Sequence, residues 1–181
     1  MYEILCNANG KAISITFFVD AVVKKYTLKL FMSPTPRIIT ASPENWCDSA
    51  TKVISSAVKS YIKTKGECSL MLTGGNTVKK LYHHWFVSQP WDHRKIRYYF
   101  GDERCVTPEH QESNFGMVRK TLFPEGIPDN GKVMRMEGEL SDRETAAKNY
   151  ERMLPNSLDI LLLSVGPDGH IVSLFPPELH T

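Results

Sequence analysis

The sequence lacks a run that would cross a membrane as a helix. The apolar stretch from Ala12 to Val19 (AISITFFV) is ended by Asp20 and Lys24, well short of the roughly 20 residues that a bilayer core requires. A basic lead and a small-residue cleavage site are also missing from the N-terminal stretch, so a cytoplasmic location is expected. Cysteine is sparse: Cys6, Cys47, Cys68 and Cys105 lie far apart with no CxxC pair, which fits neither a zinc site nor a disulfide framework and reads as reduced thiols. Charge of one sign is not in excess either. The 22 basic residues are interspersed with 20 acidic ones for a net charge of +2, and without a basic stripe nucleic acid is not the expected partner. The pairs Lys24-Lys25 and Lys79-Lys80 read as solvated faces. No fixed-period repeat, low-complexity tract, GxGxxG fingerprint or P-loop lysine is found.

What is present is an ordinary globular composition, 41% hydrophobic and 23% charged over 181 residues, enough for one domain with a substantial core. Pro34 and Pro36 divide the chain into residues 1–35, an N-terminal extension whose structure is left open between an added strand pair, another ordered extension and a tail, and residues 36–181. From Pro36 onward short β-branched runs alternate with stretches of helical periodicity, the pattern of an α/β fold with a parallel sheet flanked by helices. Strands are expected at Arg37–Ala41, Cys68–Thr73, Ile96–Phe100, Lys132–Met136 and Leu158–Val165. The first helix is expected to open at Ser42-Pro43 and to bury Trp46, Ala50, Val53, Ala57, Val58 and Tyr61. A second starts at Thr77 with Val78, Leu81, Tyr82 and Trp85 aligned. A third is capped by Ser113-Asn114, and a fourth opens on a Ser141/Glu144 capping box and runs to Leu154.

Three of these strands end in polar turns, written CSLMLT-GGNT, IRYYF-GDER and DILLLSV-GPDGH. In an open parallel sheet, ligands bind beyond the carboxyl ends of the strands, so the three turns are expected side by side in one site. Gly74, Gly75, Asn76 and Thr77 suit close backbone approach and present helix-start amides to a phosphate; alone they read better as an ordinary glycine turn with an Asn or Thr cap. Asp102, Glu103 and Arg104 are expected to project from the sheet edge, with Arg104 suited to bidentate phosphate recognition, unless a salt bridge to its neighbours merely fixes the loop. His170, in GPDGH, presents an imidazole at the same edge, and histidine's ordinary pKa of about 6.5 suits general-base work. Asp168 is placed to orient that ring or a water. His83, His84 and His93 lack such a setting and are expected at the surface.

The segments SLMLTGGNTVKKLY, YYFGDERCVTPEHQESNFGMVRKTLF, VMRMEGE and DILLLSVGPDGHIVSLFP, in this order, resemble successive signatures of the 6-phosphogluconolactonase family across approximately Arg37 to Pro176. The resemblance implies a Rossmann-like α/β domain of the sugar-phosphate isomerase and deaminase type. It also implies hydrolysis of 6-phospho-D-glucono-1,5-lactone to 6-phospho-D-gluconate in the oxidative pentose phosphate pathway. By position, His170 would be the general base, Arg104 and Gly74 to Thr77 would hold the phosphate, and Asp102 would line the sugar site. No metal and no organic cofactor is expected, and the only expected partner is the phosphorylated sugar lactone, with the oligomeric state left open.

Two alternatives stand beside this reading. A hexosamine-6-phosphate deaminase shares the fold and a DGH turn, but FGDER and IVSLFP here differ from the deaminase-like MDEY and IAFNEP segments. A non-catalytic sugar-phosphate-binding fragment is the other, because the sequence departs from the family pattern at Pro177-Glu178 and the chain is expected to lack the family's C-terminal part.

Overall fold

The computed structural model describes residues 2–8, 11–24, 27–30, 37–129, 131–166 and 169–174, with side chains from Ile38 onward. In chain order the strands are β1 (Tyr2–Ala8), β2 (Lys11–Lys24), β3 (Thr27–Leu30), β4 (Arg37–Ala41), β5 (Cys68–Leu72), β6 (Ile96–Phe100), β7 (Lys132–Val133) and β8 (Ser157–Ser164). The helices are α1 (Trp46–Lys65), α2 (Asn76–Ser88), α3 (Asn114–Thr121) and α4 (Arg143–Met153).

The strands form one sheet in the order β4-β1-β2-β8-β5-β6-β7, with β3 paired to β2. From β8 through β5 and β6 to β7 every pairing is parallel, as the alternation of strands and helices requires. The sheet as a whole is mixed, because β2 runs antiparallel to β1, β3 and β8. β1 and β2 thus lie within the sheet, between β8 and the outermost strand β4, to which β1 pairs in parallel.

Alternation along the strands splits the core in two. Leu70, Leu72, Ile96, Tyr98, Phe100, Ile160 and Leu162 face α1, α2 and α3 and pack on Trp46, Ile54, Leu81 and Trp85. Met71, Tyr99 and Leu161 face the other way, against Met134 and Leu154 at the end of α4. The Tyr150 hydroxyl ties α4 to the sheet, donating to the Phe100 carbonyl at 2.9 Å and accepting from its N–H at 2.7 Å.

Helix boundaries shift slightly from expectation. Ser42 does not cap α1: its carbonyl accepts from Asn45 N–H to close a turn, and the helix begins at Trp46 with Trp46, Ala50, Ile54 and Val58 fully inward. The cap of α4 is Asp142, not Ser141, because its longer carboxylate accepts from both the N–H and the hydroxyl of Thr145. Ser113 does cap α3, accepting from Gly116 N–H at 2.9 Å. The strand expected over Lys132–Met136 is confined to Lys132–Val133.

The expected placement of His93 fails. His93 is not at the surface but 7% exposed, because its ring is enclosed by Trp91, Tyr98 and Phe123. Cys47, Cys68 and Cys105 form no disulfide among the described residues. Burial, followed by the nearby Asp159 carboxylate, pushes the Cys68 thiol up to about 12 and makes it a poor nucleophile.

Candidate active site

β5, buried along its whole length, delivers Thr73 and Gly74 to the sheet edge and starts α2. The turn is clamped from below: the buried Tyr82 hydroxyl accepts from Thr73 N–H at 3.1 Å and donates to its carbonyl at 2.9 Å. Gly74 is required by a close approach, since a Cβ there would lie 2.0 Å from Asn114 Oδ1. Gly75 follows with φ of +113°, a region that side chains other than glycine's avoid. No side chain caps α2 and its first turn has no acidic residue. Its leading amides therefore present a partial positive charge to whatever lies before them.

What lies before them is an open cleft of about 280 Å³ lined by Gly75, Asn76, Lys79, Arg104, Ser113 and Asn114, among others. Arg104 and Lys79 are both exposed, and among the described residues no carboxylate pairs with either side chain. Lys79, which reads from the sequence as a solvated face, joins the site because the first turn of α2 aims it into this cleft.

The GDER turn after β6 divides its labour. Glu103 does not pair with Arg104's guanidinium. Its carboxylate accepts from the N–H groups of Arg104, Asn114 and Phe115 at 2.8, 2.6 and 2.8 Å and from the Ser113 hydroxyl at 3.1 Å. It thereby satisfies the free amides at the start of α3, where the helix dipole also favours an anion. Asp102 does not project from the sheet edge as expected. It is 9% exposed, held by Asn114 Nδ2, which donates to its carbonyl and Oδ1 at 3.1 Å each, and by the Ser173 hydroxyl, 2.5 Å from Oδ2.

β8 leads into the third turn. Gly169 N–H donates to the Gly166 carbonyl at 3.0 Å and Gly166 N–H to the His170 carbonyl at 2.8 Å, closing the turn that carries the half-buried His170. Asp168 lies outside the described residues. Beyond His170, Val172 takes φ of +50°, a conformation costly for a β-branched residue, while its N–H donates to Ser164 O. This bend swings Ser173 onto Asp102.

The three turns are thus joined pairwise. Asn114 packs against Gly74 and bonds Asp102; Ser173 bonds Asp102; and the Ser164 hydroxyl lies 3.1 Å from Thr73 Oγ1 and donates to Gly74 O at 3.4 Å. Sequence reasoning does not find Asn114, Ser164 or Ser173 as site residues. Asn114 reads as a helix start, and only its burial at 4% exposed marks it as a side chain doing other work. Among the described residues no group of His, Cys, Asp or Glu could hold a metal ion, and no helix is long and apolar enough to cross a membrane.

A sheet whose β8-β5-β6-β7 part is parallel, with flanking helices and three linked polar turns at its carboxyl edge, defines a Rossmann-like α/β protein. Residues 41–181 match the family model described as glucosamine-6-phosphate isomerases/6-phosphogluconolactonase, and the chain belongs to that family. Among curated relatives it is 32% identical over 156 residues to a 6-phosphogluconolactonase of Chlamydia pneumoniae, covering 82% of this chain and 59% of that one. It is 32% identical over 134 residues to the 6-phosphogluconolactonase of Treponema pallidum, covering 68% and 56%. Among solved structures, the 6-phosphogluconolactonase of Thermotoga maritima superposes with a TM-score of 0.67 at 27% identity, covering 74% of this chain and 62% of that one. The chain therefore spans less than two thirds of the length of these relatives.

Proposed function

We propose that this chain carries the hydrolytic site of a 6-phosphogluconolactonase, converting 6-phospho-D-glucono-1,5-lactone to 6-phospho-D-gluconate in the oxidative pentose phosphate pathway. The observation that carries this reading is the closed linkage of the GGNT, GDER and GPDGH turns through Asn114, Asp102, Ser173 and Ser164.

The phosphate is held by Arg104, Lys79 and the amides of Gly75, Asn76 and Thr77, which share or border one cleft; Glu112 also lines it but pairs with neither cation among the described residues. His170 takes a proton from water, whose oxygen attacks the lactone carbonyl and gives a tetrahedral intermediate. Collapse breaks the bond to the ring oxygen, which receives the proton back from His170. Asp168 orients the imidazole. Asp102, with its oxygens occupied by Asn114 and Ser173, is a positioning residue rather than a base. Anchoring the phosphate fixes the carbonyl near His170 and supplies several kcal/mol of the barrier lowering, on the order of what orientation provides elsewhere.

Lactone hydrolysis, corrected for the spontaneous reaction, tests the assignment. His170→Ala is expected to lower kcat by roughly 100-fold or more, and Arg104→Ala to act mainly on KM. Unchanged turnover in H170A would remove the base. Ammonia release from glucosamine 6-phosphate without lactone hydrolysis would transfer the chain to the isomerase side of the family.

A further inference from the structure

The strap that follows His170 has an unusual backbone. Among the described residues, Gln89 and Val172 are the two other than glycine with a positive φ. Gln89, at +43°, ends α2, where a left-handed residue commonly closes a helix. Val172, at +50°, is β-branched, and such side chains fit this region worst. It is the first central residue of a two-residue turn: Ile171 N–H donates to Leu174 O at 3.0 Å and Leu174 N–H to Ile171 O at 2.8 Å. Hairpin turns of this length ask for a positive φ at that place and usually have glycine there. A valine persists in it only where its surroundings over-determine the conformation, and such outliers cluster at functional sites.

The surroundings that hold it are visible. Val172 N–H donates to Ser164 O at 3.2 Å. Its Cγ1 lies against Gly101, 3.4 Å from where a Cβ on that glycine would stand. The Ser173 hydroxyl then donates to Asp102 Oδ2 at 2.5 Å, and a hydroxyl bonded to a carboxylate belongs to the stronger class of hydrogen bond. On the near side of His170, Gly166 N–H donates to the His170 carbonyl at 2.8 Å, and Ile171 bridges both Val165 and Leu174. His170 is therefore held between backbone bonds internal to the third turn, and Ser173 ties that turn to the GDER turn.

We infer that Ser173 is a positioning residue of the proposed reaction, an assignment that rests on the hydrolytic reading above. Its hydroxyl, presented by the strained Val172, fastens the turn carrying His170 to Asp102 and so fixes the base relative to a lactone anchored at the phosphate cleft. Ser173 does not line the cleft of Lys79 and Arg104, so substrate binding is independent of it. A misplacement of about 1 Å between base and carbonyl suffices to cost on the order of 100-fold in rate.

Lactone hydrolysis by the 181-residue chain, with kcat and KM separated and Tm measured on the same samples, tests the role. Ser173→Ala is expected to lower kcat by about 10–100-fold and to change KM by less than about 3-fold. Because Ser173 is exposed, its Tm is expected to fall by under about 4 °C. Ser173→Thr keeps the hydroxyl and is expected to recover most of the rate. Unchanged kcat in S173A, the same loss in S173T, a rise in KM in place of the fall in kcat, or unfolding of S173A at the assay temperature would each overturn the role of Ser173 and leave the lactonase reading standing. Absence of hydrolysis by the parent chain would overturn that reading and the inference with it.

Discussion

Replacing Gly74 by alanine tests how tightly the first two turns are coupled. The new methyl would lie 2.0 Å from Asn114 Oδ1, 2.6 Å from Cγ and 2.8 Å from Nδ2, so one of the two must move. Asn114 is poorly able to yield. Its side chain is buried and donates twice to Asp102, and its backbone N–H is held by Glu103. Driving the amide away strands buried polar atoms, at about 1–3 kcal/mol, and forces extra volume into a packed site at a similar cost. A destabilisation of about 3 kcal/mol follows, which for a chain of this size lowers Tm by roughly 6–12 °C. The decisive assay is a double-mutant cycle in urea unfolding with Asn114→Ala. Removing the amide also removes the clash, so G74A is expected to cost under about 1 kcal/mol in the N114A background. Equal costs of G74A in both backgrounds, or an unchanged Tm for G74A alone, would show that the contact does not constrain the turn.

Two further outcomes follow from buried groups elsewhere. His93 resists protonation when folded but not when unfolded, so its contribution is complete above about pH 6.5 and is lost as pH falls toward 4. The loss approaches about 3 kcal/mol, and the stability difference between the parent and H93F in urea is expected to narrow over that window; a constant difference would mean that His93 protonates freely in the fold. Asp159, 7% exposed, accepts from Ser69 N–H at 2.9 Å, from the Ser69 hydroxyl at 3.0 Å and from Lys65 Nζ at 2.5 Å. Because the Lys65 side chain is 52% exposed, Lys65→Ala should cost under about 1 kcal/mol, while Asp159→Ala, which strands the Ser69 donors, should cost about 2–3 kcal/mol; similar midpoints for the two would contradict this ranking.

The contrast between Val78, Leu81, Tyr82 and Trp85, which the sequence aligns and the fold buries, and His93, which it misplaces, shows where legibility stops. The first set repeats with helical spacing, so its burial follows from local geometry alone. His93 sits in a short irregular segment, and what covers it is Phe123 from the end of α3, a contact that no local pattern encodes. Asp102 is the same case within the site. A carboxylate after a strand end reads as exposed, yet Asn114 and Ser173 arrive from two distant segments to enclose it. The caps differ for a smaller reason: at α4 several polar residues compete and Asp142 is the one whose oxygen reaches the Thr145 amide, while at α1 no side chain caps the helix.

The two carboxylates of the GDER turn, adjacent in sequence, explain how the proposed site can orient a substrate with charge at one end. Glu103 spends its charge on the amides of α3, which removes it from competition for Arg104 and leaves that guanidinium, with Lys79, open to the cleft. The partners of Asp102, Asn114 and Ser173, are neutral donors, and among the described residues no cation pairs with its carboxylate. A buried carboxylate held in this way repels a phosphate and tolerates a neutral, hydroxyl-bearing ring. The site therefore has a cationic end at the start of α2 and an anionic end where the third turn closes over Asp102. In the proposed reaction the phosphate takes the first and the lactone is left facing the second, where the turn carrying His170 is fastened.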